Sequence, residues 1–135
     1  MSWETPKTDW VATDFINYTD LNRIGNNLAW LREEAVKMYR EFEIREFTPF
    51  SGYTADVFAS QINLLEENLE TINTNTYDFD IGETQTYVAN QPAINYVELN
   101  RIESACLQLK TYLESQYAAL RRLSFRLGSQ KGIKV

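Results

Sequence analysis

Histidine is absent from this 135-residue chain, and that single lack removes the usual general base, the commonest metal ligand and every Ser-His or Cys-His arrangement for nucleophilic catalysis. Cysteine occurs once, at Cys106, so no intrachain disulfide and no Cys-pair zinc site can form. Gly and Pro are scarce, at 5 and 3, and no GxxxxGK or GxGxxG phosphate loop is present. So few turn formers weigh against a turn-rich β sandwich and in favour of helices. Apolar runs are only a few residues long, far short of the ~20 needed to cross a bilayer, so no membrane span is expected. Met1-Ser2-Trp3-Glu4-Thr5-Pro6 lacks the basic start and apolar core of a signal peptide, which implies a protein made in the cytoplasm.

What is present is ordinary globular material: 44% hydrophobic and 24% charged residues, enough for one modest core. The formal net charge of −6 is unevenly spread. After Glu114 come only Arg121, Arg122, Arg126, Lys131 and Lys134, so the tail carries +5, while 8 basic against 19 acidic residues leave −11 on the remainder. Such a body repels nucleic acid, and the tail suits an acidic protein surface.

The chain repeats itself. Ile16-Asn17-Tyr18-Thr19-Asp20-Leu21-Asn22-Arg23-Ile24 matches Ile94-Asn95-Tyr96-Val97-Glu98-Leu99-Asn100-Arg101-Ile102 at an offset of 78, with seven identities in nine. The unit reads as a helix start. Asn17 and Asn95 supply capping oxygens, and Asp20 and Glu98 stand three residues on, as in a capping box and on the favourable side of the helix dipole. Downstream, Leu21, Ile24, Leu28, Leu31, Ala35, Met38 and Phe42 recur at spacings of three and four, predicting a helix over 18–42. Leu99, Ile102, Cys106, Leu109, Leu113, Gln116, Leu120, Leu123 and Leu127 predict another over 96–125, and Phe58, Ile62, Leu65, Leu69 and Ile72 a third over 54–72.

The expectation is therefore an all-α three-helix bundle spanning 16–127, with an internal helix repeat, an extended aromatic N-terminal arm over 1–15 and a basic extended C-terminal tail over 128–135. Thr48-Pro49-Phe50-Ser51-Gly52 reads as a short turn that makes the first two helices antiparallel neighbours. The segment 73–93 reads as a long loop, extended beyond Gly82.

Candidate functional residues are contact groups. Trp3, Trp10 and Phe15 lie on the arm, where they either fold back onto the core or anchor in a neighbour's pocket. Arg23 and Arg101 read first as struts to an acid of a neighbouring helix and second as forks for a partner carboxylate. Arg126 and Lys131 carry the tail's charge, and Ile133 and Val135 alternate as in strand addition. The arms are expected to make the partner contacts, so removing residues 1–14 or 128–135 is expected to leave the bundle folded. Glu33-Glu34 and Glu66-Glu67 read as solvated faces, Cys106 as a small core residue, and Asp78 to Glu83 as an acidic surface loop that lacks the third ligand position and distal Glu of a calcium-binding EF-hand.

Thr5-Pro6-Lys7-Thr8-Asp9-Trp10, then Asp14-Phe15-Ile16-Asn17-Tyr18-Thr19-Asp20-Leu21-Asn22-Arg23-Ile24 and Asn27-Leu28, resembles the start of small tail or baseplate-region structural proteins of phages and phage-tail-like particles of Gram-positive bacteria. The resemblance covers about the first 30 residues, with an echo at 94–102. It implies a non-enzymatic virion protein without cofactor, assembled in the bacterial cytoplasm in several copies and bound to other virion proteins, with neither nucleic acid nor membrane as partner. Two other readings compete: a cytoplasmic helical regulatory adaptor, and a carbohydrate-binding tip module that uses the many aromatic residues.

Overall fold

A computed structural model describes residues 2–14, 16–49, 55–83, 85–87 and 95–129, without side chains at 55–58 and 124–129. Three helices form among them, α1 (Tyr18–Ala35), α2 (Ala55–Asn75) and α3 (Tyr96–Ser129). The duplicated caps work as the sequence suggests. At α1 the Asp20 carboxylate accepts the Asn17 backbone N–H at 2.8 Å within a capping box, and at α3 Asn95 Oδ1 accepts the Glu98 N–H at 3.0 Å.

The three apolar stripes meet in one core. Leu21, Ile24, Leu28 and Leu31 of α1, Ile62, Leu65, Leu69 and Ile72 of α2, and Leu99, Ile102, Cys106, Leu109 and Leu113 of α3 are all buried.

Helix α1 stops at Ala35, seven residues before the expected Phe42. Past Arg40 the pattern changes to period two: Phe42 and Ile44 are half-buried while Glu41, Glu43 and Arg45 are exposed. Met38 and Phe42 continue the helical spacing by coincidence and reach the core from a turn and an extended segment. At their other ends α2 and α3 run further than expected, to Asn75 and Ser129, so the boundary placed at 127 falls inside a helix.

The helix directions also differ from expectation. Arg23 meets Glu103 near the starts of α1 and α3, and further along both helices Lys110 lies 5.8 Å from the Trp30 ring. Arg101 meets Glu66, and further along Tyr112 stacks on Tyr77 just past the end of α2. Each pair of contacts advances in the same sense along both chains, so all three helices are parallel and the antiparallel expectation for α1 and α2 is overturned. A parallel return demands a long connection. Retracing the 18 residues of α1, roughly 27 Å, takes about eight extended residues, and the segment between α1 and α2 supplies more than that.

The returning segments are straps that run along the helices in the opposite sense. The strap over 2–14 passes from Trp3 beside Trp30 to Trp10 beside Asn100, between α1 and α3. The strap over 40–49 passes from Phe42 and Glu43 at Arg32 to Arg45 at Asn68, between α1 and α2. The third strap, described at 79–83 and 85–87, passes from Phe79 at Asn73 to Tyr87 at Asn63, between α2 and α3. Each helix is thus preceded by one strap, and the buried positions align without gaps: Leu21, Ile62 and Leu99; Ile24, Leu65 and Ile102; Leu28, Leu69 and Cys106; Leu31, Ile72 and Leu109. The twofold repeat seen in the sequence is two members of a threefold set.

Candidate functional site

Each extended strap carries backbone N–H and C=O groups that cannot be left unpaired once covered. Asparagine side chains pair them. The Asn100 amide accepts the Trp10 N–H at 2.8 Å and donates to the Trp10 C=O at 2.9 Å. Asn27 clamps Glu4, Asn68 clamps Arg45, Asn63 clamps Tyr87 and Asn73 clamps Phe79 in the same two-bond way. One side-chain amide offers the donor and acceptor that a neighbouring strand would, and this accounts for the burial of Asn27, Asn68 and Asn73 in an apolar bundle.

Three residues after two of these clamps stands a buried carboxylate. Glu103 accepts Nε and Nη2 of Arg23, both at 2.8 Å, the Trp10 indole Nε1–H at 2.7 Å and the Lys7 backbone N–H at 3.1 Å. Glu66 accepts Nη2 of Arg101 at 2.6 and 2.5 Å, and the Tyr87 hydroxyl and the Gln85 N–H, both at 3.3 Å. Each Arg also binds the acid three residues before it, Arg23 to Asp20 and Arg101 to Glu98, both at 2.9 Å. The two nodes are therefore the same device built twice. In the third position of the set Leu64 stands for the Arg and Gly25 for the Glu, and Phe47 lies so close to Gly25 that a Cβ there would collide with its ring.

Charge balance follows from this geometry. The bonds to Glu103, opposed by burial, hold the Arg23 proton more tightly than usual. Burial works against the charge of Arg101, and Glu66 and Glu98 outweigh it, so its affinity for its proton is raised as well. Burial, with the Glu66 charge beside it, pushes the Tyr87 hydroxyl up. Burial, with Glu103 nearby, does the same to the Cys106 thiol, which leaves it a poor nucleophile. Glu66 is thus a buried strut, and its assignment to a solvated face is corrected; its neighbour Glu67 is exposed. Arg23 and Arg101 spend their forks inside the molecule, which leaves them no fork for a partner.

Trp10 is 3% exposed, so it is core and not an anchor for a neighbour. Trp3 is half-buried against Trp30, with Lys110 over both rings. The N-terminal arm is therefore an integral strap. In the acidic loop, Asp80 Oδ1 accepts the Gly82 N–H at 2.9 Å, and Gly82 takes a positive φ of 84° where the Arg101 side chain crosses it. Among the described residues no three Cys, Asp or Glu side chains gather in a group that could hold a metal ion, and no helix is long and apolar enough to cross a membrane. Phe15, Lys131, Ile133 and Val135 lie outside the described residues, and of Arg126 only its place in α3 is described.

The end of α3 is different. In the threefold alignment Ala35, the last residue of α1, stands level with Leu113, and α2 ends at Asn75, close to the level of Tyr112. Gln116 is still half-buried and Tyr117 shares a cavity with Trp30, Glu34 and Met38, while residues 118–129 continue for roughly 18 Å past the bundle. Side chains 118–123 are all exposed, with Leu120 at 47% and Leu123 at 54%, and Tyr117 at 48% carries Arg121 over its ring. Comparison of the chain with protein families, curated proteins and solved structures finds no match.

Proposed function

We propose that this chain is a non-enzymatic structural protein of a phage tail or phage-tail-like particle, placed in the tail, baseplate or fibre-attachment region and held there by contacts with other virion proteins. The observation that carries the reading is the α3 overhang: a helix that leaves its own bundle with Tyr117, Leu120 and Leu123 exposed is built to be covered by protein. The buried carboxylates support it, because both are spent on arginine struts. The N-terminal resemblance supports the particle in particular. Its residues Trp10, Asn17, Asp20, Arg23 and Asn27 are the clamps, caps and struts of one strap-helix unit, so the motif describes a folding unit with its own physical logic.

Mass spectrometry of purified particles from a bacterium induced to produce them tests the proposal. The chain is expected in the particle fraction at a fixed ratio to the tail proteins. Its recovery solely in the soluble lysate, bound to one regulatory protein, would reject the particle reading in favour of an adaptor.

A further inference from the structure

The seam that packs α3 into the bundle has a strict heptad rhythm. Leu99, Ile102, Cys106, Leu109 and Leu113 occupy alternating a and d positions and none is more than 2% exposed. Gln116, Leu120, Leu123 and Leu127 continue the same register in sequence beyond the ends of α1 and α2. Gln116 is half-buried, and from Leu120 onward the seam has the core-facing pattern and no helix of its own chain to face.

We infer that the overhang of α3 pairs with the overhang of a second copy of this chain, antiparallel and tail to tail about a twofold axis between Leu120 and Leu123. Three observations select this occupant. The seam faces the side on which α1 and α2 lie, so a parallel copy of α3 laid along it would run into them, whereas an antiparallel copy enters from the far end and takes the space above them. The register is self-complementary: a positions meet d positions across the axis, giving Leu120 against Leu123 twice at the centre, with Gln116 opposite Leu127 at the rims. The charges agree too. Glu114, Arg121 and Arg122 fall at b and c, away from the seam, and the antiparallel register sets Tyr117 against Ser124 and Ala119 against Arg126, so no like charges face each other within the overlapped residues 114–129.

This inference deepens the assembly reading by naming the first contact. Because it concerns the purified chain alone, it can fail while the chain is still found in particles, and it can hold for a chain never found in one. Sedimentation equilibrium is expected to give a two-chain species, and the double variant Leu120→Glu with Leu123→Glu a monomer that keeps the parent's near-ultraviolet circular dichroism and whose unfolding midpoint, unlike the parent's, does not depend on protein concentration, since both residues lie outside the core. Orientation is read by disulfide trapping under mild oxidation. Gln116→Cys mixed with Leu127→Cys is expected to give a mixed disulfide, while Gln116→Cys alone should not link, because residues 116 and 127 are separated along the helix by about 16 Å, well beyond disulfide reach. A monomeric parent, a dimer that survives the double Glu variant, or self-linking of Gln116→Cys would each overturn the inference.

Discussion

At the scale of single residues, the two buried carboxylates are the positions that suffer from losing one partner. Removing one partner of such a pair strands a charge away from water, at a cost of about 3–5 kcal/mol, whereas replacing both with apolar groups of similar volume costs far less. Arg23→Met and Glu103→Met should therefore each lower the urea midpoint sharply, and the double variant should be more stable than either single one. Additive losses would show that Glu103 is held by Trp10 and Lys7 and gains little from Arg23. Asn100→Ala removes both partners of the Trp10 backbone and should cost about 1–3 kcal/mol for each group left unpaired, against about 0.5–2 kcal/mol for a cap change such as Asn17→Ala. Thermal denaturation that ranks the two variants the other way would place the weight on caps over clamps. Caps were legible in the sequence because a cap is a local event three residues long. The role of Glu66 was not, because Glu66-Glu67 looks the same whether both side chains are solvated or one is buried, and the arginine that buries it comes from another helix.

At the scale of elements, the straps set these helices apart from a simple bundle. Deleting residues 2–14 removes Trp10 from the core and two donors from Glu103. The loss of the indole alone is worth about 3–5 kcal/mol, so the truncated chain should lose its cooperative unfolding transition. A truncated chain with parental near-ultraviolet circular dichroism would return the segment to the status of a free arm. The strap was hidden because an aromatic segment without helical period is equally consistent with an arm that reaches outward and one that lies in a groove. The third member of the repeat was hidden for a different reason. At Leu64 and Gly25 the charged pair is replaced by apolar packing with Phe47 against Gly25, so identity search finds α1 and α3 and misses α2.

At the scale of the whole molecule, alkaline pH tests how well the groups between helices are covered. The Tyr39 hydroxyl, burial first and then its 2.9 Å bond to Tyr112, is pushed up from its ordinary 10.0 to about 12, and Tyr87 and Cys106 are raised in the same direction. A raised folded-state value means that the unfolded chain gives up its protons first. The stability these groups contribute is whole below their ordinary values and drains as pH climbs past 9.0 for Cys106 and past 10.0 for the two tyrosines. Urea midpoints should fall over that window, and Tyr39→Phe should shallow the slope; a flat profile to pH 11 would mean that these hydroxyls ionise freely in the folded state.

The sequence by itself determined the class of the fold, the start of α1 and α3, the apolar stripes and the duplicated Asn-Arg unit, because capping and helical periodicity act within a few residues. Tertiary structure alone decided which way the helices run. An apolar stripe packs equally well against a parallel or an antiparallel neighbour; direction is set by the straps, whose backbones need Asn27, Asn63, Asn68 and Asn100 at matching levels, and by the Arg23–Glu103 and Arg101–Glu66 pairs that join helices at one height. That parallel arrangement leaves α3 standing alone past the other two, so the exposed Leu120 and Leu123 follow from the topology and the length of the last helix together.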